Sequence, residues 1–231
     1  MTKKRICMTG ILVLSVSLWA GDTASFVDLG FSPDGGTYMF AQYGIQSLSL
    51  KPWADLFVID VPRNNFVTGG KISYSHDIPV IAGQDGSGAL YRIIAKNAAL
   101  AEQYRIDFCR QGQPLYVSLE NGNGSLGETI EFRNFESGDN YRASLVPSVE
   151  GSGNALESSF YINLEKISRG GDRKTYTVGT PRVKRPLIAS YRIRKVIVAP
   201  HDGSIIFVIE MKKQTSAGDF DIRYMVEAAR L

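Results

Sequence analysis

His76 and His201 are the only histidines in the 231-residue chain, and each is followed by an aspartate, Asp77 and Asp202. Imidazole and carboxylate together suit zinc or iron, so the two His-Asp pairs, if brought together, would make a four-ligand metal site. Neither pair has the helical spacing of a preformed site, and His201-Asp202-Gly203 reads as a turn. Ordinary surface or turn positions therefore account better for His76, Asp77, His201 and Asp202, and no cofactor is implied. Nucleophilic catalysis has less to build on: no Gly-x-Ser-x-Gly elbow occurs, and Ser87 and Ser152 lie in loops with no identified base. Glu120, Glu128, Glu131 and Glu136 are a carboxylate cluster of the kind glycoside hydrolysis uses, but that chemistry depends on separation in space, and solvated strand or turn positions explain them. Asn121-x-Asn123-x-Ser125 has calcium-loop character, yet Leu126 and Phe132 stand where an EF-hand needs glycine and a bidentate carboxylate.

One charge feature rises above background. Between Glu165 and Lys195, the bases Lys166, Arg169, Arg173, Lys174, Arg182, Lys184, Arg185, Arg192, Arg194 and Lys195 meet only Glu165 and Asp172 within the stretch. Such a local field suits an anionic envelope component or an acidic protein partner. Pro181 and Pro186 bracket its tip and hold it extended. The competing reading is a pair of solvated strand faces with a Lys/Arg-protected edge.

The elements that would carry these residues begin after an export leader. Lys3-Lys4-Arg5 precede an uncharged apolar run from Ile11 to Trp19, shorter than the ~20 residues a membrane span needs. Small residues at Ala20-Gly21 and at Ala24 offer two cleavage positions, and the leader is expected over 1–24, with a single mainly antiparallel β domain over 25–231. Cys7 precedes the apolar run and leaves with it, so no lipidated cysteine is expected. Without the leader's three bases, Lys+Arg falls from 26 to 23 and equals Asp+Glu at 23; a cut after Ala24 also removes Asp22. A globally basic nucleic-acid binder is thereby disfavoured. Cys109 remains as a single thiol, unable to form an internal disulfide, and its Ile106-Asp107-Phe108 neighbours predict an inert buried position.

Pro33-Asp34-Gly35-Gly36 predicts a tight turn feeding the strand Thr37 to Gly44, with a partner strand over Asp55 to Val61. Leu90, Ile93, Ile94, Ala98, Ala101 and Tyr104 fall at helical spacing, predicting one amphipathic helix near 88–105 capped by Ser87. Beyond Leu115 the period becomes two: Ile130/Phe132, Phe160/Ile162/Leu164 and Phe220/Ile222/Tyr224/Val226 alternate with polar neighbours between glycine-rich turns. The fold class is mainly β (α+β), an antiparallel two-layer, sandwich-like sheet assembly with one helix. Pro200-His201-Asp202-Gly203-Ser204 and the following Ile205 to Ile209 run echo the opening turn, which leaves a small propeller-like fold as the alternative. The helix and the short irregular strands argue against a transmembrane barrel.

The stretches Leu29-Gly30-Phe31-Ser32-Pro33-Asp34-Gly35, Phe40-Ala41-Gln42-Tyr43-Gly44, Ala54-Asp55-Leu56-Phe57-Val58-Ile59-Asp60-Val61 and Asn65-Phe66-Val67 resemble an uncharacterised family of predicted secreted bacterial proteins, a domain of unknown function. The resemblance implies export and a mostly β domain, and it carries no activity or catalytic residues with it. Together these readings predict an exported, periplasmic or secreted, non-enzymatic protein that binds an anionic or protein partner, with no transmembrane span after leader removal. The alternative is an exported hydrolase using His76 or His201 with nearby carboxylates.

Overall fold

The computed structural model describes residues 21–119, 127–216 and 218–231. Its first sheet is an antiparallel meander of β1 (Ser25–Phe31), β2 (Thr37–Ile45), β3 (Pro52–Asp60) and β4 (Asn65–Ser75), in that order. The expected opening turn sets its start: Ser32 N–H donates to Thr37 O at 2.9 Å, Asp34 Oδ1 accepts the Gly36 N–H at 3.1 Å, and Gly35 takes φ +70°. β2 and β3 pair from Thr37–Asp60 to Ile45–Pro52 without a slip. Period two then sorts the side chains: Tyr38, Phe40, Phe57 and Ile59 face one way, and Met39, Ala41, Leu56 and Val58 the other.

The second of these faces is covered by helix. Leu90, Ile93 and Ala101 pack onto it from α1 (Ser87–Lys96) and α2 (Ala98–Gln103). The expected single helix is thus two, interrupted at Asn97, whose Nδ2 donates to Ile93 O at 2.7 Å and competes with helix continuation. Gly86 occupies the N-cap; the expected cap Ser87 lies one position inside, its hydroxyl donating to Asp85 Oδ1 at 2.6 Å.

The other face packs on a central sheet of order β13-β12-β11-β5, built from β5 (Gln113–Val117), β11 (Ile188–Val198), β12 (Ile205–Gln214) and β13 (Phe220–Ala229). That sheet is buried on both sides. Ile206 and Val208 meet Phe40 and Phe57 of the first sheet, whereas Ile205, Phe207 and Ile209 meet an outer sheet of β6 (Thr129–Arg133), β7 (Asn140–Glu150), β8 (Glu157–Ile167) and β9 (Arg173–Val178), with the short β10 (Arg185–Pro186) also on β8. The unbroken apolar run Ile205 to Ile209 has its cause here, since a strand covered on both faces has no polar side to alternate with. A fully buried Ile or Phe of this kind contributes about 1.5–3 kcal/mol.

The mainly β, antiparallel, sandwich-like expectation is met, with a third sheet and a helical layer added to the stack. The propeller-like alternative is not: the sheets stack one upon another and the first is capped by helix, so no ring closes. Cys109 corrects its expectation. It is exposed, because only Ile106 of its apolar neighbourhood turns inward, after Arg105 at φ +53° and before the Asp107–Phe31 bridge.

Candidate functional site

The two histidines are held at opposite ends of the β2–β3 hairpin. His201 packs beside Gly35 at the Thr37 end; an added Cβ on that glycine would lie 3.3 Å from the His201 Cβ. His76 donates its backbone N–H to Pro52 O (2.9 Å) at the other end, where Pro52 pairs with Ile45. A nine-residue strand between them amounts to roughly 25–30 Å, so His76-Asp77 and His201-Asp202 cannot share a metal. Among the described residues no group of three or more His, Cys, Asp or Glu is placed to hold one. The two echoing turns are neighbours in space, and Asp202 Oδ1 accepts the Ser204 N–H (3.0 Å) as Asp34 does for Gly36.

The carboxylate cluster is dispersed. Glu128 turns to β11, its Oε2 accepting the Ile193 N–H at 3.0 Å, while Glu131 lies on the solvent face of the outer sheet, 3.9 Å from Arg142. Glu120 and the Asn121–Ser125 loop lie outside the described residues. Ser87 has Asp85 as its partner and no histidine.

The basic stretch is largely compensated by acids distant in sequence. Lys166 pairs with Asp139 (3.1 Å), Lys184 with Glu150 (2.5 Å), Arg185 with Glu227 (3.4 Å), Arg192 with Glu128 (3.9 Å) and Arg194 with Glu210 (3.9 Å); within the stretch Arg173 meets Glu165 at 2.7 Å. Lys195 contributes a positive field at Asp28. Arg169, Lys174 and Arg182 are exposed. Six of the ten bases therefore sit against a carboxylate.

Two features had no counterpart in the sequence reading. The first is a junction of all three sheets at Glu227 on β13. Its Oε2 accepts from Asn64 Nδ2 in the β3–β4 turn (2.5 Å), Asn64 Oδ1 accepts the Ala228 N–H (2.6 Å), and Arg185 of β10 stacks on Phe160 at 4.9 Å while reaching Glu227. Burial pushes the Glu227 carboxyl up from its ordinary value, and Asn64 and Arg185 oppose that rise. The second is an open groove of about 670 Å³ beside the start of α1, walled by Pro52, His76, Ile78, Val80, Gln84 and Arg92. Val80 N–H donates to Leu50 O at 2.8 Å, which ties the 76–86 loop to the β2–β3 tip. Around this end Leu48 is 93 % exposed, Ile78 68 % and Ile81 71 %. The available signal was Ile78-Pro79-Val80-Ile81, an apolar run with proline inside it that fits neither helix nor strand.

No helix among the described residues is long and apolar enough to cross a membrane. No curated protein and no solved structure matches the chain. A family model described as "Predicted secreted protein (DUF2259)" matches residues 39–230, which spans β2 to the end of β13. The chain therefore belongs to the DUF2259 family of predicted secreted proteins.

Proposed function

We propose that this is a non-enzymatic envelope protein that binds a protein partner, and that the partner seats an apolar segment in the groove beside α1. The observation that carries the reading is the exposed apolar cluster at this end: Ile78 lines the groove, and Leu48, Leu50 and Ile81 are exposed on the two loops tied together by the Val80–Leu50 bond. Apolar side chains gathered on one end of a secreted domain mark interaction surfaces, and each one covered by a partner contributes about 1.5–3 kcal/mol. Arg92 and His76 on the groove wall offer polar anchors that suit a carboxylate beside the apolar segment. The hydrolase alternative finds less support, since the His76 ring already accepts the Ile78 N–H at Nδ1 (3.0 Å) and His201 lies in a turn at the far end of the hairpin.

A second reading keeps the anionic partner at the basic stretch, favoured by the exposed Lys174 and Arg182. One experiment separates the two: capture from an envelope extract on the immobilised mature protein. Ile78→Ser with Ile81→Ser is expected to lower capture at least tenfold, about 1.4 kcal/mol or more, with unchanged melting. Lys174→Glu with Arg182→Glu is expected to leave it intact. The reverse pattern would move the site to the basic stretch, and capture insensitive to both pairs would remove both.

A further inference from the structure

We propose that export processing cuts the chain between Ala20 and Gly21, so that Gly21 is the first residue of the mature protein. The inference rests on the reading of the N-terminal stretch as an export leader. Sequence offers two small-residue positions for the cut, Ala20 and Ala24; the fold separates them, because residues 21–24 are built into it. Thr23 forms a parallel bridge with Ile222 on the outer edge of β13, where Ala24 N–H donates to Ile222 O (3.1 Å) and Ile222 N–H to Asp22 O (2.8 Å). The Asp22 N–H donates to Asp221 Oδ1 (2.9 Å), its Oδ1 accepts the Ser47 N–H (2.5 Å), and its Oδ2 meets Arg223 at 3.3 Å.

Asp22 and Ala24 are buried, Ala24 in the core between the first and central sheets. Gly21 is fitted as closely: a Cβ there would lie 2.1 Å from Phe220 O. A cut after Ala24 would strip the edge of β13, leave both backbone groups of Ile222 without these partners, and remove one of the carboxylates that hold Arg223 over the Trp53 ring at 4.2 Å.

In the assigned step a peptidase of the export machinery hydrolyses the Ala20–Gly21 amide with one water. The carbonyl keeps the hydroxyl oxygen and leaves as the leader's carboxylate, and the nitrogen takes up protons as the Gly21 ammonium. That new cation arises one residue from Asp22, whose N–H already lies against the Asp221 carboxylate.

The test is to express the full chain in an exporting bacterial host and read the N-terminus and intact mass of the protein from the envelope fraction. The expected N-terminus is Gly-Asp-Thr-Ala. A start at Ser25 would overturn the assignment and leave export standing; a chain retaining Met1 would overturn both. In a second arm, Ala20→Phe is expected to make the uncut precursor accumulate, whereas unimpaired processing of that variant would also overturn the assignment.

Discussion

Cys109 shows what a single side chain's setting can conceal. Its local sequence is apolar, yet the chain reverses there: the Cys109 N–H donates to Asp107 Oδ1 at 2.9 Å, Phe108 is also exposed, and only Ile106 enters the core. Cys109 is therefore expected to react with a maleimide without denaturant, read as a mass increment on the peptide that carries it; labelling that requires unfolding would contradict the exposed placement. Glu227 is the opposite case, a buried carboxyl whose pKa is raised from 4.5. A folded-state pKa above the unfolded one means the native state holds its proton longer. The stability contribution is then complete below about pH 4.5 and declines as pH rises through the folded value. Asp28 acts in the same direction, while Asp34 and Asp139, lowered from 3.8, add stability as pH rises at the acid end. Glu227→Gln is expected to flatten part of the decline above pH 4.5, seen as a smaller slope in denaturation midpoints from pH 4 to 7; an unchanged slope would show that Glu227 titrates normally.

Among the elements, α1 carries a buried and an exposed large side chain two residues apart. Ile93 is buried on β2 and β3, and its truncation to Ala should cost about 2–5 kcal/mol. Tyr91, two residues earlier, is 70 % exposed, and Tyr91→Ala should fall within about 0.5 kcal/mol. Paired urea titrations check the contrast, and equal losses would mean that the helix packs in another register. Three of the hairpins share one closure. Ser32 to Thr37 at 2.9 Å, Asn134 to Asp139 at 2.9 Å and Ala199 to Ser204 at 2.8 Å each run N–H to O across a six-residue loop, with Asp34, Asn134 or Asp202 bonding to a backbone N–H two residues on. These turns were legible because an Asx side chain and a glycine act locally, needing nothing from the rest of the fold.

Across the whole molecule, the last strands in the chain lie in the middle of the stack. The first sheet and the outer sheet each need β11 to β13 to cover a face, so neither has a complete core without residues 188–229. Phe207→Ala, at a fully buried position of the central sheet, is expected to cost about 3–5 kcal/mol. Trp53, the only tryptophan among the described residues, sits in the first sheet, whereas circular dichroism reports on all three. Both signals should shift together in this variant. Separate transitions would show that the sheets unfold independently.

What the sequence determined by itself was local: turn chemistry at Asp34 and Asp202, strand faces by period two, and the apolar stripe of α1. What only the tertiary structure decided was adjacency. Period two says which way a side chain points but not which sheet it meets, so the two-sided burial of Ile205 to Ile209 came from the stack. Charges pair through space rather than along the chain, and the run from Lys166 to Lys195, basic as read in order, finds Asp139, Glu150, Glu128, Glu210 and Glu227 on other strands. By the same rule, two His-Asp pairs identical on paper stand at opposite ends of a hairpin, and two loops separated in sequence by β3 and β4, 46–51 and 76–86, meet through the Val80–Leu50 bond beside the groove that the second of them lines.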